Sequence, residues 1–401
     1  MLSTWFDRTF LTQQARQEGA RRVRQRNSFV AATRDSGVEV TFFPIPYISR
    51  PSHRLILLDE SGYHFTLPNR AGEDTILALS RISYVIAPTE GHYQYGPKLD
   101  TIYYPAPLSQ HLTDLSSLCA ASFGGRQPFR HADAPDFVEK LNAAKLLELT
   151  AKNNTWTLLR SLWSGGELRS GDVVLLDGSL NVVVTPQTDS ADEIDEGLHS
   201  SGIILAALSK SFAPKCADIV ARGRQLYSGQ PFLFTIPIER LLKTEQRREA
   251  NRPLYNLGPK GYTLGLPFGL VLSTDPTDLE YHGLFISYRY NLPHYNKVQE
   301  GRVVKLQENI PLSQSFIEEV LIPIGALLVY YSRGVVSANY PLPAAAVHSH
   351  VLFTGEDLVY FLEPCLAAML EAGEHLRYLE ADQKSAHEVV DGLLNRLYQR
   401  G

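Results

Sequence analysis

The sequence predicts an α/β fold, a mixed sheet flanked by helices, on three observations. Residues Val173 to Leu176 are four consecutive apolar side chains that stop at Asp177, Gly178 and Ser179. A run apolar on both faces marks a central strand covered on both sides. The pattern recurs at 55–61, where Leu55, Ile56, Leu57 and Leu58 lead into Asp59, Glu60 and Ser61. Between the two runs, Asp133 to Trp163 reads as a long helix. Phe137, Leu141, Ala144, Leu147 or Leu149, Leu158 and Leu162 follow helical spacing, with Asp133 or Asp136 as cap and Pro135 in the first turn.

Composition sets the limits. The chain has 401 residues, more than one ordinary domain, and suits a single large α/β unit with helical additions at both ends. A hydrophobic fraction of 44% and a charged fraction of 20% support a sizeable core and argue against global disorder. The formal charge of −5 excludes a uniformly basic nucleic-acid coat but leaves room for a local basic track. Cys119, Cys216 and Cys365 are far apart and form no CxxC pair, so neither a disulfide framework nor a zinc ribbon is indicated. The N-terminal residues lack the apolar core of a signal peptide, and the run Val320 to Tyr331, broken by Pro323 and Gly325, is too short to span a bilayer. A soluble, cytoplasmic protein with no membrane partner is expected.

In order along the chain, residues 1–36 are expected as a basic helical arm, helical over 3–26, with Arg16, Arg21, Arg22, Arg24 and Arg26. The main domain then runs over 37–401. Residues 38–48 carry Pro44 and Pro46 and read as an edge strand. Strands at 54–59, Tyr63 to Leu67 and Ile76 to Ala87 suggest a meander. Residues 88–133, rich in Pro, Gly, Tyr and Ser, are expected as long loops, and the acidic stretch 186–201 likewise. Ser201 to Leu208 is a further apolar strand run ending in Ser209, Lys210 and Ser211. A long insertion is expected around 215–300. It holds Arg240, Lys243 and Arg247 at i, i+3 and i+7, the best candidate for a phosphate track along one helix face. Residues 283–290 and 301–306 read as strands, and 313–331 as helical, then extended or mixed. Tyr340 and Pro341 precede a small-residue helix that places His348 about two turns along.

Chemistry enters through the two strand ends. Asp-Gly between apolar runs is also a hairpin signal, and each aspartate alone reads more readily as a turn residue. If the two strands lie side by side and parallel, however, Asp59 and Asp177 end about 5 Å apart at the backbone. Two carboxylates that close repel unless a cation compensates. Divalent ions about 3.5–4 Å apart are a common solution and serve phosphodiester cleavage. Oxygen ligands suit Mg²⁺ or Mn²⁺ rather than zinc. The helix between the strands offers Glu139 and Glu148. Glu148 is preferred for its flanking leucines, and it could reach the same rim. Lys210, at another strand end, could orient a phosphate. His348 could bind metal or shuttle protons, or could simply pack.

Taken in order, these elements resemble the NurA nuclease family. The resemblance rests on the strand ending in Asp59, the acid-bearing helix, Leu175-Leu176-Asp177-Gly178-Ser179-Leu180, Leu208-Ser209-Lys210-Ser211, and the stretch from Tyr340-Pro341-Leu342-Pro343 to His348. It covers roughly residues 50–360. Glu60 stands where the family shows glycine, and Tyr340-Pro341-Leu342-Pro343 lacks the usual following leucine. The resemblance implies an RNase H-like (PIWI-related) fold, a homodimer, and manganese-dependent cleavage of DNA. It implies a role in DNA end processing, as in repair, with a HerA-like hexameric translocating ATPase as partner. It further implies Asp59, Glu148, Asp177 and His348 as ligands of Mn²⁺ or Mg²⁺, two ions in all, with Tyr340 and His348 assisting at the phosphate. No GxxxxGK[ST] loop is present, so ATP hydrolysis would fall to the partner. A non-catalytic DNA-clamping or translocase-docking dimer of the same fold is the alternative. A metal-free pair of carboxylates acting on sugars ranks last.

Overall fold

The computed structural model describes residues 40–67, 75–111, 113, 143–178, 180–183, 188–210, 216–237, 261–276, 278–291, 311–333 and 340–371. The N-terminal arm, the strand expected at 301–306, Glu139 and the Arg240, Lys243 and Arg247 track lie outside these residues. A ten-stranded mixed sheet forms the centre. Its strands are β1 (Phe42–Pro44), β2 (Leu55–Leu67), β3 (Thr75–Ala87), β4 (Gln94–Tyr95), β5 (Leu99–Pro107), β6 (Val173–Asp177), β8 (Ile204–Ser209), β9 (Phe232–Thr235), β11 (Gly265–Val271) and β12 (His282–Ser287). A separate two-stranded sheet pairs β7 (Asn181–Val183) with β10 (Gly261–Thr263). The order across the main sheet is β1-β9-β11-β12-β8-β6-β2-β3-β4, with β5 also on β3.

The three strands β2, β6 and β8 run parallel at its centre, and every other pairing in the sheet is antiparallel. The apolar runs read from the sequence are these three strands. Leu55 to Leu58, Val173 to Leu176 and Leu205 to Leu208 are all buried, as strands covered on both faces require. Register follows directly, since Leu58 faces Leu176 and Asp177 faces Leu208. The first strand is longer than its apolar run. It continues past Asp59 through the segment expected as a separate strand, and all thirteen of its residues pair with β3.

Among the described residues the longer helices on the sheet are α1 (Ala143–Ser164), α2 (Thr188–Ser200), α3 (Ala217–Leu226), α4 (Gln314–Ser332), α5 (Leu342–Val351) and α6 (Gly355–Glu371). The turn Ile317–Leu321 of α4 is π-helical. By length and apolar composition α4 could cross a membrane. More than half of it is buried inside the protein, which marks it as a core helix.

Two segments expected as loops are ordered elements. Residues 188–200 form α2, because Ala191, Ile194 and Leu198 make a buried stripe that the surrounding acids mask in the sequence. Residues 99–107 form β5, whose outer edge is unpaired. An edge strand tolerates Pro105, and the register with β3 shifts there, between the Ala106 and Tyr103 pairings. The stretch 215–300 contributes β9, β11 and β12 to the main sheet. The sheet is tightly packed there, and a Cβ added to Gly269 would lie 2.0 Å from the Phe234 ring.

The helices α1 and α5 lie on opposite faces of β2. A Cβ on Gly62 would meet Leu147 of α1 at 3.1 Å, so alternation sends Glu60 and Gly62 toward α1 and Asp59 toward the other face. On that other face, His348 of α5 reaches Asp59. The far end of the meander is clamped to α6 by Arg81, whose guanidinium donates to both oxygens of Asp100 and of Asp357 and stacks on Phe353.

Candidate metal centre

The parallel pairing of β2 with β6 ends at Leu58 and Leu176, which leaves Asp59, inside β2, beside Asp177 at the end of β6. That rim, outside the carboxyl ends of parallel strands, is where open α/β sheets place ligands. Gly178 permits the turn out of β6 by adopting φ +109, and its N–H donates to Leu208 O at 2.9 Å. The helix α5 then delivers His348, whose Nδ1 hydrogen-bonds Asp59 Oδ2 at 2.9 Å. Ligand atoms of Asp59, Asp177 and His348 all lie within 4.8 Å of one another.

Each acid has its own surroundings. Asp59 is only 7% exposed, and the Glu60 backbone N–H donates to its Oδ1 at 2.7 Å. Burial, then the like charge of Asp177, push its carboxyl up to about 6, against the hydrogen bonds from His348 and Glu60 N–H and the charge of Lys210. Asp177 is wetter. Lys210 Nζ donates to its Oδ2 at 3.0 Å and the Tyr340 hydroxyl to its Oδ1 at 3.2 Å. The Lys210 ammonium also lies 4.6 Å from the centre of the Tyr340 ring. Burial, followed by Asp177, raises the Tyr340 phenol far above its ordinary value, so it is a hydrogen-bond donor throughout the working range.

The structure thus brings together Asp59, Asp177, Lys210, Tyr340 and His348. Glu148 sits in α1, which packs against the opposite face of β2, and its side chain lies outside the described residues. Lys152, one helical turn after Glu148, was not read as a site residue. Its Nζ approaches the Cβ position of Gly178 at 3.9 Å, and its charge acts on Glu60. An i, i+4 relation to Glu148 was the available signal. Glu60 is also part of the rim. Burial pushes its carboxyl up to about 8, Lys152 opposing and Asp59 adding, and its Oε2 finds no hydrogen-bond partner among the described residues.

Two carboxylates and an imidazole around one point fit a hard divalent cation such as Mn²⁺, with the imidazole tolerated by the transition ion better than by Mg²⁺. The arrangement is a candidate cation site where the parallel pairing of β2 and β6 ends. No family model and no curated protein matches the sequence. Among solved structures the chain is similar to a crystal structure of NurA, at 11% identity and a TM-score of 0.35, over 91% of this chain and 98% of that one. It is also similar to endonuclease V of Ciona intestinalis crystallised with inosine-containing DNA, at 12% identity and a TM-score of 0.23, over 67% of this chain and 83% of that one.

Proposed function

We propose that the chain is a divalent-metal-dependent deoxyribonuclease of RNase H-like fold. In this reading it processes linear DNA ends as a homodimer beside a HerA-like hexameric translocase. The observation that carries the reading is the convergence of Asp59, Asp177 and His348 on one point where the parallel pairing of β2 and β6 ends. The sequence motifs, in their order, supply the reaction class. Asp59, Asp177 and His348 would hold Mn²⁺ or Mg²⁺; Glu148 of α1 and a second ion are carried over from the motif resemblance alone. Bound divalent ions supply Lewis-acid charge to a phosphodiester and lower the pKa of water.

The chain's own groups do the rest. Lys210 brings a fixed cation to the phosphate side of Asp177. The Tyr340 hydroxyl, held protonated, orients Asp177 Oδ1 and can donate to a phosphate oxygen. His348 fixes the Asp59 carboxylate and is about half exposed, so its ring can also meet substrate. Arg240, Lys243 and Arg247 are proposed as the track for the DNA backbone.

The Lys210–Asp177 ion pair favours one rival, a non-catalytic clamp whose acid is neutralised by a lysine. The test is cleavage of a linear duplex and a single strand with Mn²⁺, by wild type and by Asp177→Ala. Loss of cleavage in the variant is expected. Wild-type protein that binds DNA but never cuts it, with or without a translocase, would leave the clamp.

A further inference from the structure

The strand β12 begins at His282. Its register with β8 pairs Gly283 with Ser209, which sets His282 opposite Lys210 one residue further along. The Tyr340 ring lies against both. The His282 and Tyr340 ring centroids are 5.6 Å apart at an interplanar angle of 60°. Lys210 Nζ stands 4.6 Å from the same Tyr340 ring, and the Tyr340 hydroxyl reaches Asp177. A phenol placed by a single hydrogen bond can swing about its Cα–Cβ bond, whereas flanking ring and cation contacts hold it in one rotamer.

We propose that His282 is a positioning residue of the metal centre: its imidazole, seated across from Lys210, holds the Tyr340 hydroxyl on Asp177. The proposal rests on the nuclease reading for its effect on cleavage and on the geometry alone for its effect on metal binding. It adds β12 to the strands that build the rim, so that the site spans β2, β6, β8 and β12. No element of the sequence motifs includes this residue.

The experiment is a double-mutant cycle on the full chain, with His282→Ala, His282→Phe, Tyr340→Phe and the pair His282→Ala/Tyr340→Phe. Two readouts are taken, the rate of linear-DNA cleavage at saturating DNA and the Mn²⁺ affinity by calorimetry. Loss of the ring contact should lower both by about threefold to tenfold, the scale of an aromatic pair. KM for DNA should stay within about twofold, since the contact is not with substrate. His282→Phe should restore the rate, because it keeps a ring without ring nitrogens. In the Tyr340→Phe background, His282→Ala should cost nothing further.

Additive losses in the cycle overturn the proposal, and so does a His282→Phe variant as poor as His282→Ala, which would make the imidazole nitrogens the working part. Wild-type protein that leaves DNA intact but binds Mn²⁺ refutes the nuclease reading, and the affinity cycle alone then decides His282. Absence of Mn²⁺ binding refutes both. Circular dichroism of each variant separates these results from misfolding, and His282→Phe serves as the folded control if His282→Ala is unstable.

Discussion

Glu60 offers the sharpest test of how this rim is balanced. It follows Asp59 on β2, faces α1, and has its carboxyl pushed up to about 8 from an ordinary 4.5, burial being the largest cause. Sign decides the prediction. A carboxyl whose folded value is raised binds its proton more tightly in the folded state. It therefore favours folding below its unfolded value, and that advantage is lost as pH rises through the folded value. Raising the carboxyl from 4.5 to about 8 corresponds to about 5 kcal/mol once both states are ionised, and about 3 kcal/mol of that has accrued by pH 7. Glutamine keeps the shape and cannot ionise. Glu60→Gln should therefore match wild type near pH 4, gain on it from about pH 5 upward, and level off above about pH 8. Thermal melts or urea titrations across that range read the difference. The competing term is Lys152, whose charge favours the ionised carboxylate. If the Glu60–Lys152 attraction outweighs burial, the glutamine variant leaves an uncompensated ammonium and loses stability as pH rises. A flat difference, or one of that opposite sign, would refute the reasoning.

Two further outcomes follow from the same structure. Because the Asp59 carboxyl is raised to about 6, Mn²⁺ must displace a proton below that value, and calorimetry should show affinity falling about tenfold per pH unit there. Affinity unchanged between pH 5 and 7 would remove Asp59 from the ligand set. Arg81→Met should destabilise the protein by about 3 kcal/mol, since it strands two carboxylates that a nearly buried guanidinium now holds at 2.7 and 3.0 Å. Hydrogen exchange should show α6 losing protection before the sheet does, and equal loss in both would argue against a local clamp.

How far the sequence speaks depends on whether a signal is local. Four apolar residues running into an aspartate are legible because burial on both faces admits no polar alternation. The same rule identifies β2, β6 and β8. Their adjacency was a conditional inference, and the parallel register of Leu58 with Leu176 meets the condition. Tyr340 before a helix and His348 two turns along it were legible because proline and small residues punctuate the chain there. The helix α2 was not, since its acids outnumber the three buried side chains that anchor it. Nor was β5, because prolines read as loop unless a free edge is known to await them. Lys152 and His282 were hidden for another reason. Each matters through a neighbour supplied by a different element, Glu60 on β2 for one and Tyr340 before α5 for the other.

The rim's composition is itself an argument for a cation. Asp59, Glu60 and Asp177 gather within two adjacent strand ends, and the first two are held where burial disfavours their charge. A chain selected only for stability would fill those positions with the aliphatic residues that precede them, because burying a carboxyl without full compensation costs free energy at neutral pH. Lys210 offsets Asp177, and Lys152 acts on Glu60. Among the described residues Asp59 has an imidazole and a backbone N–H for direct partners, and the charge acting on it most strongly is another acid, Asp177. The unbalanced member of the cluster is thus one of the three groups whose ligand atoms lie within 4.8 Å of one another. A divalent ion there would lower the Asp59 carboxyl, relieve its repulsion with Asp177, and stabilise the fold by mass action. Mn²⁺ should accordingly raise the melting temperature of wild type more than that of Asp59→Asn. An equal rise in both proteins would place the ion elsewhere.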